Sequence, residues 1–411
     1  MADFHLWAMA TAAVVAAASA LVGTLLVVRR MSLLGDAIAH AVLPGIALAI
    51  LAGGRPGGPL VFAAAVATAL LTVWLVRIVR TAGGLDDDAG AGVVFTTLFA
   101  AGVVIVSVAA SRAHVDADCV LYGILEFVPF DTVRLAGLDL PRGFLAAAAV
   151  LAIVVAGGVA TWRLQVFTAF DPAAAAAAGV PGAAVTGSLL AATALVSVAG
   201  FEVVGAVLVV AMLVVPAAAA ELVARRLDRV AALAVILAVA AACLGYLAAW
   251  RWNASAAGMI AVVLGLEYGI AAVLAPENGI VARLVRRIGY AWRVACEDRL
   301  ATVWRAAEQG APAPVPASLR ARLAAWWLGV TGLERGGRLS DAGRREAELI
   351  VRSHRLWEAW LGRHAELPLD HLHPPAEWVE HHLGAAMRER IAAEVGRVAG
   401  DPHGREIPPE A

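Results

Sequence analysis

Apolar and polar positions follow two different patterns along this chain. From residue 6 to about 275, blocks of Ala, Val and Leu alternate with short charged gaps. The blocks fall near 6–28, 37–53, 60–79, 91–110, 143–162, 184–200, 202–220, 230–250 and 256–275. Several approach the ~20 residues that a helix needs to cross a bilayer. The sixth and seventh are short and joined through "VAGFEVVG", so eight or nine spans fit. From 283 to 411, Arg, Glu and His are scattered among apolar residues, as in a protein that folds in water. An all-α polytopic membrane domain followed by a mostly helical C-terminal domain is therefore expected.

Arginine placement separates the two counts. With nine spans, Arg29, Arg30, Arg77, Arg80, Arg163, Arg225, Arg226 and Arg229 share one side with "RLVRR" at 283–287. Arg55, Arg112, Arg134 and Arg142 fall on the other. The positive-inside bias favours nine spans, with the N-terminus outside and the C-terminal domain in the cytoplasm. The gap at 111–142, with Glu126 and Asp131, becomes an external loop, and 163–183 a cytoplasmic one. In the latter, "FDPAAAAAAGVPG" (170–182) opens on an Asp-Pro turn and stops at glycine, which predicts a helix too short to span. After residue 276, helices are expected at 291–309, 319–329, 341–363 and about 374–400. A proline-rich hinge at 310–318 and a short β wing before 341 separate them, and Trp326 and Trp327 are expected in the core.

Composition narrows the chemistry. All 32 residues counted as Lys+Arg are arginine. A Walker A loop needs a lysine on the nucleotide phosphates, so this chain binds no nucleotide through one. A net charge of −1 points to no nucleic acid. Cys119, Cys243 and Cys296 are far apart, fit neither a disulfide framework nor zinc spacing, and read as inert thiols. The N-terminus "MADFHLW" lacks the basic region of a cleavable signal peptide.

Two constellations stand out. In "SLLGDAIAHAVLPG" (32–45), Asp36 and His40 share one helix face inside an apolar block. A charge near the bilayer centre costs about 2.5–3.5 kcal/mol on insertion scales, so such residues mark a pathway; alternatively Asp36 caps the helix after Gly35. In the C-terminal domain, His354 and Glu358 stand four apart, and Glu377, Glu380 and His381 form a second face four residues after His373. Carboxylates with imidazoles suit Mn, Fe or Zn.

"RRMSLLGDAIAHAVLPGIALAI" closely resembles the signature segment of the manganese/zinc/iron permease family of ABC transporters. "LDDDAGAGVVFTTLFAAGVVIVS", "LYGILEFVPFD", "FDPAAAAAAGVPG" and "VVGAVLVVAMLVVPAAAAELVARRLDR" resemble its other motifs, in the same order, over residues 5–275. The resemblance implies a dimeric permease core in a bacterial inner membrane, formed with a second copy or a paralogue. A separate cytoplasmic ATPase would drive it and an extracytoplasmic metal-binding lipoprotein would feed it. Asp36 and His40 match the family's translocation pathway, and Phe170, Asp171, Pro172 and Gly179 fall in the loop that would couple to the ATPase.

"RREAELIVRSHRLWEAWL…LPLDHLHPPAEWVEHHLG…DPHGREIP" resembles the metal-binding and dimerisation domain of the DtxR/MntR metal-dependent repressors. His354, Glu358 and His373 match its ancillary ligands, and Glu377, Glu380 and His381 its primary ones. Glutamate at 377, where some members carry cysteine, resembles the manganese-responsive branch. "CEDRLATVWRAAE" resembles the repressors' first helix and places Asp298 at a ligand position, although Ala301 stands where a second acid is expected. Too few residues separate Asp298 from His354 for a complete winged helix-turn-helix, so DNA binding is not expected. Three parts follow: a permease domain at 1–280, a linker and degenerate winged-helix-like region at 281–340, and the metal-binding domain at 341–411. The reading is an ABC importer permease for Mn(II), or Fe(II) or Zn(II), with a fused sensor that regulates transport. A membrane-tethered transcriptional regulator and an ATP-independent secondary transporter are the alternatives.

Overall fold

Away from water every backbone N–H and C=O must find its partner within the segment, and the apolar blocks accordingly become long helices. The computed structural model describes all residues except 1, 33–34, 36, 38–40, 55–57, 84–86, 111–124, 136–137, 366–367, 369–375, 378, 397–399 and 410–411. Asp36, His40 and His373 thus lie outside the described residues. Two compact units divide at Ala282/Arg283.

The first unit holds α1 (Ala2–Val28), α2 (Leu43–Leu51), α3 (Pro59–Gly83), α4 (Asp87–Ala110), a hairpin of β1 (Thr132–Leu135) and β2 (Leu138–Pro141), and α5 (Arg142–Phe170). It continues through α6 (Pro172–Ala177), α7 (Gly182–Val204), α8 (Ala206–Val223), α9 (Leu227–Trp252) and α10 (Ala256–Leu274). Gly205, at φ +81°, separates α7 from α8, so the two short blocks are independent helices. Helix α1 is central and packs on α5, α7, α8 and α9. Its most apolar stretch is 67% buried, against 11% for α10 at the periphery. Gly23 permits this packing, because a Cβ there would collide with the Leu213 backbone of α8.

Among the described residues eight helices, all but α2 and α6, are long and apolar enough to cross a membrane. Contacts at the two ends of α1 fix its direction relative to α5. Arg29, just past α1, donates from Nη2 to Gln165 O (3.0 Å), Gln165 Oε1 (2.7 Å) and Thr168 Oγ1 (2.7 Å), all near the end of α5. Its Nη1 donates to Thr186 Oγ1 (3.0 Å) at the start of α7. At the opposite ends, Trp7 of α1 packs on Phe144 of α5 with ring centroids 5.1 Å apart, and His5 Nδ1 lies 3.0 Å from Tyr246 Oη of α9. Helices α1 and α5 are therefore parallel, and an odd number of crossings must join the end of one to the start of the other. Helices α3 and α4 supply two. The stretches that could hold a further crossing, 31–58 and 111–127, lie partly outside the described residues. Arg225 pairs with Glu277 on the side that carries Arg29.

The second unit, Arg283–Ala411, is described by itself. Helix α11 (Ile280–Glu308) runs through most of its first third, then α12 (Leu319–Val330), a wing of β3 (Glu334–Arg335) and β4 (Arg338–Leu339), α13 (Asp341–His364) and α14 (Ala385–Val395). Ser318 and Ser340 start α12 and α13 by accepting from Ala321 N and Gly343 N, each at 3.1 Å. One cluster joins Leu300, Leu328 and Ala347; a second joins Leu356, Ala359, Leu383, Ile391 and Val395. Buried Arg299 ties α11 to the wing through Glu334, with Nη2–Oε1 at 2.5 Å and Nε–Oε2 at 3.0 Å. It also holds the proline-rich segment by donating to Pro314 O.

Three expectations need correction. Helix α11 begins at Ile280 rather than 291, because "RLVRRIGYAW" keeps helical spacing and Gly289 alone does not stop it. The expected helix at 374–400 is interrupted: the chain turns at 380–382 and restarts after Gly384. Trp326 and Trp327 are 64% and 43% exposed, since α12 turns Ala324 and Leu328 to the core instead.

Candidate metal centre

Three segments converge in the second unit. Helix α11 presents Glu297 and Asp298, α13 presents His354 and Glu358 one turn apart, and the turn before α14 presents Glu380 and His381. Adjacent Glu380 and His381 leave the chain where the helix breaks at 380–382. That break lets both side chains reach towards α11.

Asp298, Glu380 and His381 each offer a ligand atom within 4.8 Å of the others. His381 Nε2 is 3.2 Å from Asp298 Oδ1 and 3.5 Å from Glu380 Oε1. Its Nδ1 is 2.6 Å from Glu297 Oε2. These carboxylates, Asp298 and then Glu297 first, hold the imidazole pKa at about 9 despite its burial. Glu380 Oε2 lies 2.7 Å from His354 Nδ1, an ionic contact rather than a linear hydrogen bond, and 3.4 Å from Arg305 Nη2. His354 Nε2 meets Glu358 Oε1 at 3.2 Å, and His403 Nε2 approaches the same oxygen at 3.9 Å. Burial pushes His354 down, but Glu358 and Glu380 outweigh it and the net direction is up. The result is a chain of alternating acids and imidazoles: Glu358, His354, Glu380, His381, Asp298.

Glu358 and Glu380 are 1% and 6% exposed. Buried carboxylates must be compensated by cations, and here the His381 imidazolium and Arg305 serve, with His354 between Glu358 and Glu380. The same donors fit a divalent ion, which would supply denser positive charge in their place. Cys296 adds no thiolate: burial, then Glu297, push its pKa up.

Of the ligand positions expected from the resemblance, His354, Glu358, Glu380, His381 and Asp298 come together. Glu377 is exposed and outside the set that converges within 4.8 Å. Ala301 is fully buried and offers no donor. Glu297, Arg305 and His403 were not foreseen. Glu297 neighbours Asp298 on the same helix, but periodicity does not say which of two adjacent acids faces a partner. His403 sits in the turn "DPHG", held by Asp401 accepting from His403 N and Arg405 N, where no period exists to read.

In the membrane unit, Phe170 ends α5 and is 67% exposed. Asp171 Oδ1 accepts from Ala174 N at 2.8 Å and so caps α6, whose first residue is Pro172; Gly179, at φ +77°, closes the turn beyond it. The expected short helix is present, and Arg29 anchors both helices that flank it. Glu126, between α4 and β1, accepts from Ala256 N at 3.2 Å at the start of α10.

Residues 1–275 match the model of the ABC 3 transport family, and residues 340–409 that of the iron dependent repressor metal binding and dimerisation domain. The manganese transport system membrane protein MntD of Bacillus subtilis is 39% identical over 287 residues, covering 70% of this chain and 97% of that protein. The zinc transport system membrane protein TroD of Treponema pallidum is 33% identical over 272 residues, covering 66% and 74%. Among solved structures, PsaBC from Streptococcus pneumoniae in complex with Fab superposes with a TM-score of 0.57 at 28% identity, covering 67% of this chain and 93% of that one. The chain belongs to the ABC 3 transport family, and a repressor-type metal-binding and dimerisation region follows its membrane unit.

Proposed function

We propose that the chain is the membrane-spanning permease of an ABC importer for a divalent transition metal, with Mn(II) first and Fe(II) or Zn(II) next. The C-terminal unit reads metal in the cytoplasm and lowers transport as it fills. The observation that carries this reading is the convergence of Asp298, Glu380 and His381 behind a membrane unit of a transport family. Relatives named for manganese and zinc transport support the substrate class.

On this reading the unit lies in the bacterial inner membrane with its C-terminal unit in the cytoplasm. A separate ATPase supplies the energy, consistent with the lysine-free composition. A metal-binding lipoprotein delivers the ion outside, and a second copy or paralogue completes the pore. The loop with Phe170, Asp171, Pro172 and Gly179 meets the ATPase; Arg29 passes its movement to α1, whose C-terminal continuation leads to Asp36 and His40 on the metal's path. Asp298, Glu380 and His381 hold the sensed ion, with His354, Glu358, His373 and Glu377 as further donors. A metal there supplies positive charge among buried carboxylates, so its arrival favours the packing of α11, α13 and the 380–381 turn.

The test is Mn uptake by proteoliposomes containing the chain and its ATPase. ATP-dependent uptake is expected, lost at least about tenfold in Asp36→Ala and in His40→Ala with both variants still inserted, as expected for intramembrane polar groups on a transport path. Uptake without ATP would identify a secondary transporter instead. Wild-type uptake in both variants would remove these residues from the path.

A further inference from the structure

Helix α12 is apolar on two sides. Leu328 is buried in a cluster with Leu300 and Ala347. Facing away from it, Leu319, Leu323, Trp326, Trp327 and Val330 are all exposed, Leu319 to 72% and Trp326 to 64%. At 3.6 residues per turn these five fall within an arc of about 100°, with Arg320 and Arg322 on its two flanks. A helix that is hydrophobic all round is ordinarily covered on every side.

The charge around the patch says what covers it. No acidic residue occurs from Gln309 to Leu333, and the next, Glu334, is buried in its pair with Arg299. Arg335 and Arg338 are exposed on the wing. A similar composition recurs at the start of the unit, where Leu284, Val285 and Ile288 are exposed on α11 and Arg283, Arg286 and Arg287 fall on its opposite side. Tryptophan and leucine flanked by arginine, without acids, is the composition of a helix that lies in the headgroup region of an anionic bilayer. A bilayer is also always near, because the same chain spans one, and tethering raises its effective concentration above that of a free partner. In a DNA reader this helix would carry polar groups for the base edges; here those positions are apolar.

We propose that α12 is an interfacial helix: Leu319, Leu323, Trp326, Trp327 and Val330 insert into an anionic leaflet while Arg320 and Arg322 hold lipid phosphates. The C-terminal unit is thereby moored to the membrane through its winged region.

The full chain, with Cys119→Ser, Cys243→Ala, Cys296→Ser and Leu323→Cys, is labelled with nitrobenzoxadiazole and placed in nanodiscs. The discs contain phosphatidylcholine alone or mixed with phosphatidylglycerol, each with and without acyl-chain nitroxide lipid. Blue-shifted emission that nitroxide lipid quenches is expected in the phosphatidylglycerol discs, and weaker quenching in phosphatidylcholine alone. Arg320→Gln and Arg322→Gln should each shift the docking equilibrium roughly fivefold towards release, from about 1 kcal/mol per basic residue at an anionic surface. These side chains are exposed, so the fold should survive their replacement, with circular dichroism as the check. A blue-shifted but unquenched label would mean that protein, a second copy or another partner, covers the face, and would overturn the proposal. So would emission characteristic of water in both lipids, or quenching equal in both and unchanged by the arginine substitutions.

Discussion

Glu380→Gln is the sharpest perturbation of the C-terminal unit. One oxygen of Glu380 faces His381 at 3.5 Å and the other faces His354 at 2.7 Å, so this side chain joins the two halves of the acid–imidazole chain. Glutamine keeps the shape but removes the charge that would hold a cation. A ligand bound only by the folded state stabilises it by about 2.7 kcal/mol at a hundredfold excess over Kd. A unit as long as Arg283–Ala411 has an unfolding entropy of ~0.27 kcal/mol/K, so that stabilisation raises Tm by ~10 °C. The assay is thermal melting of fragment 283–411, which carries its own two hydrophobic clusters, with Mn(II), Fe(II) or Zn(II). Each protein is compared with its own metal-free form. Wild type should gain the full shift and Glu380→Gln no more than about half of it, since the loss of one charged ligand weakens binding at least tenfold. Glu348→Gln, at a surface pair with Arg344, should behave as wild type. A full shift retained in Glu380→Gln would refute the assignment of Glu380 as a ligand.

Two further substitutions probe the scaffold. Arg29→Ala removes the guanidinium that joins α1, α5 and α7; Mn uptake should fall at least about tenfold while the assembled transporter still hydrolyses ATP, and Arg29→Lys should rescue little, because an ammonium lacks the planar fork. Unchanged uptake in Arg29→Ala would remove it from the coupling route. Arg299→Met leaves Glu334 buried without its partner and should cost about 3–5 kcal/mol, or ~11–18 °C in the melting of the same fragment; a drop below a few degrees would show that the pair is dispensable.

Much of the membrane unit was legible because lipid imposes one rule on every span, and block length with arginine position reports it directly. Helix α6 was legible for a local reason: Asp171-Pro172 starts a helix and Gly179 stops it. The block at 37–53 was visible in the pattern, whereas the parallel course of α1 and α5 is shown only by the contacts of Arg29, Trp7 and His5. The C-terminal unit was harder. Periodicity showed that His354 and Glu358 share a face, but not that Glu380 stands between two imidazoles or that Glu297 reaches His381. Those contacts depend on how α11, α13 and the turn at 380–382 meet, which no local pattern encodes. Trp326 and Trp327 misled for a related reason. A helix with two apolar faces looks like core, and the pattern does not say which face the rest of the unit covers.

The central claim, that one chain both passes metal and reads it, is tested most directly by transport against a metal load. Proteoliposomes of the full chain with its ATPase, oriented with the C-terminal unit accessible, would be assayed for Mn uptake with low or high Mn on that unit's side. The account predicts that wild-type uptake falls as Mn rises there, and that Glu380→Gln takes up metal normally at low Mn but no longer slows at high Mn. Equal slowing in both proteins, or an uptake already lost in Glu380→Gln at low Mn, would contradict it.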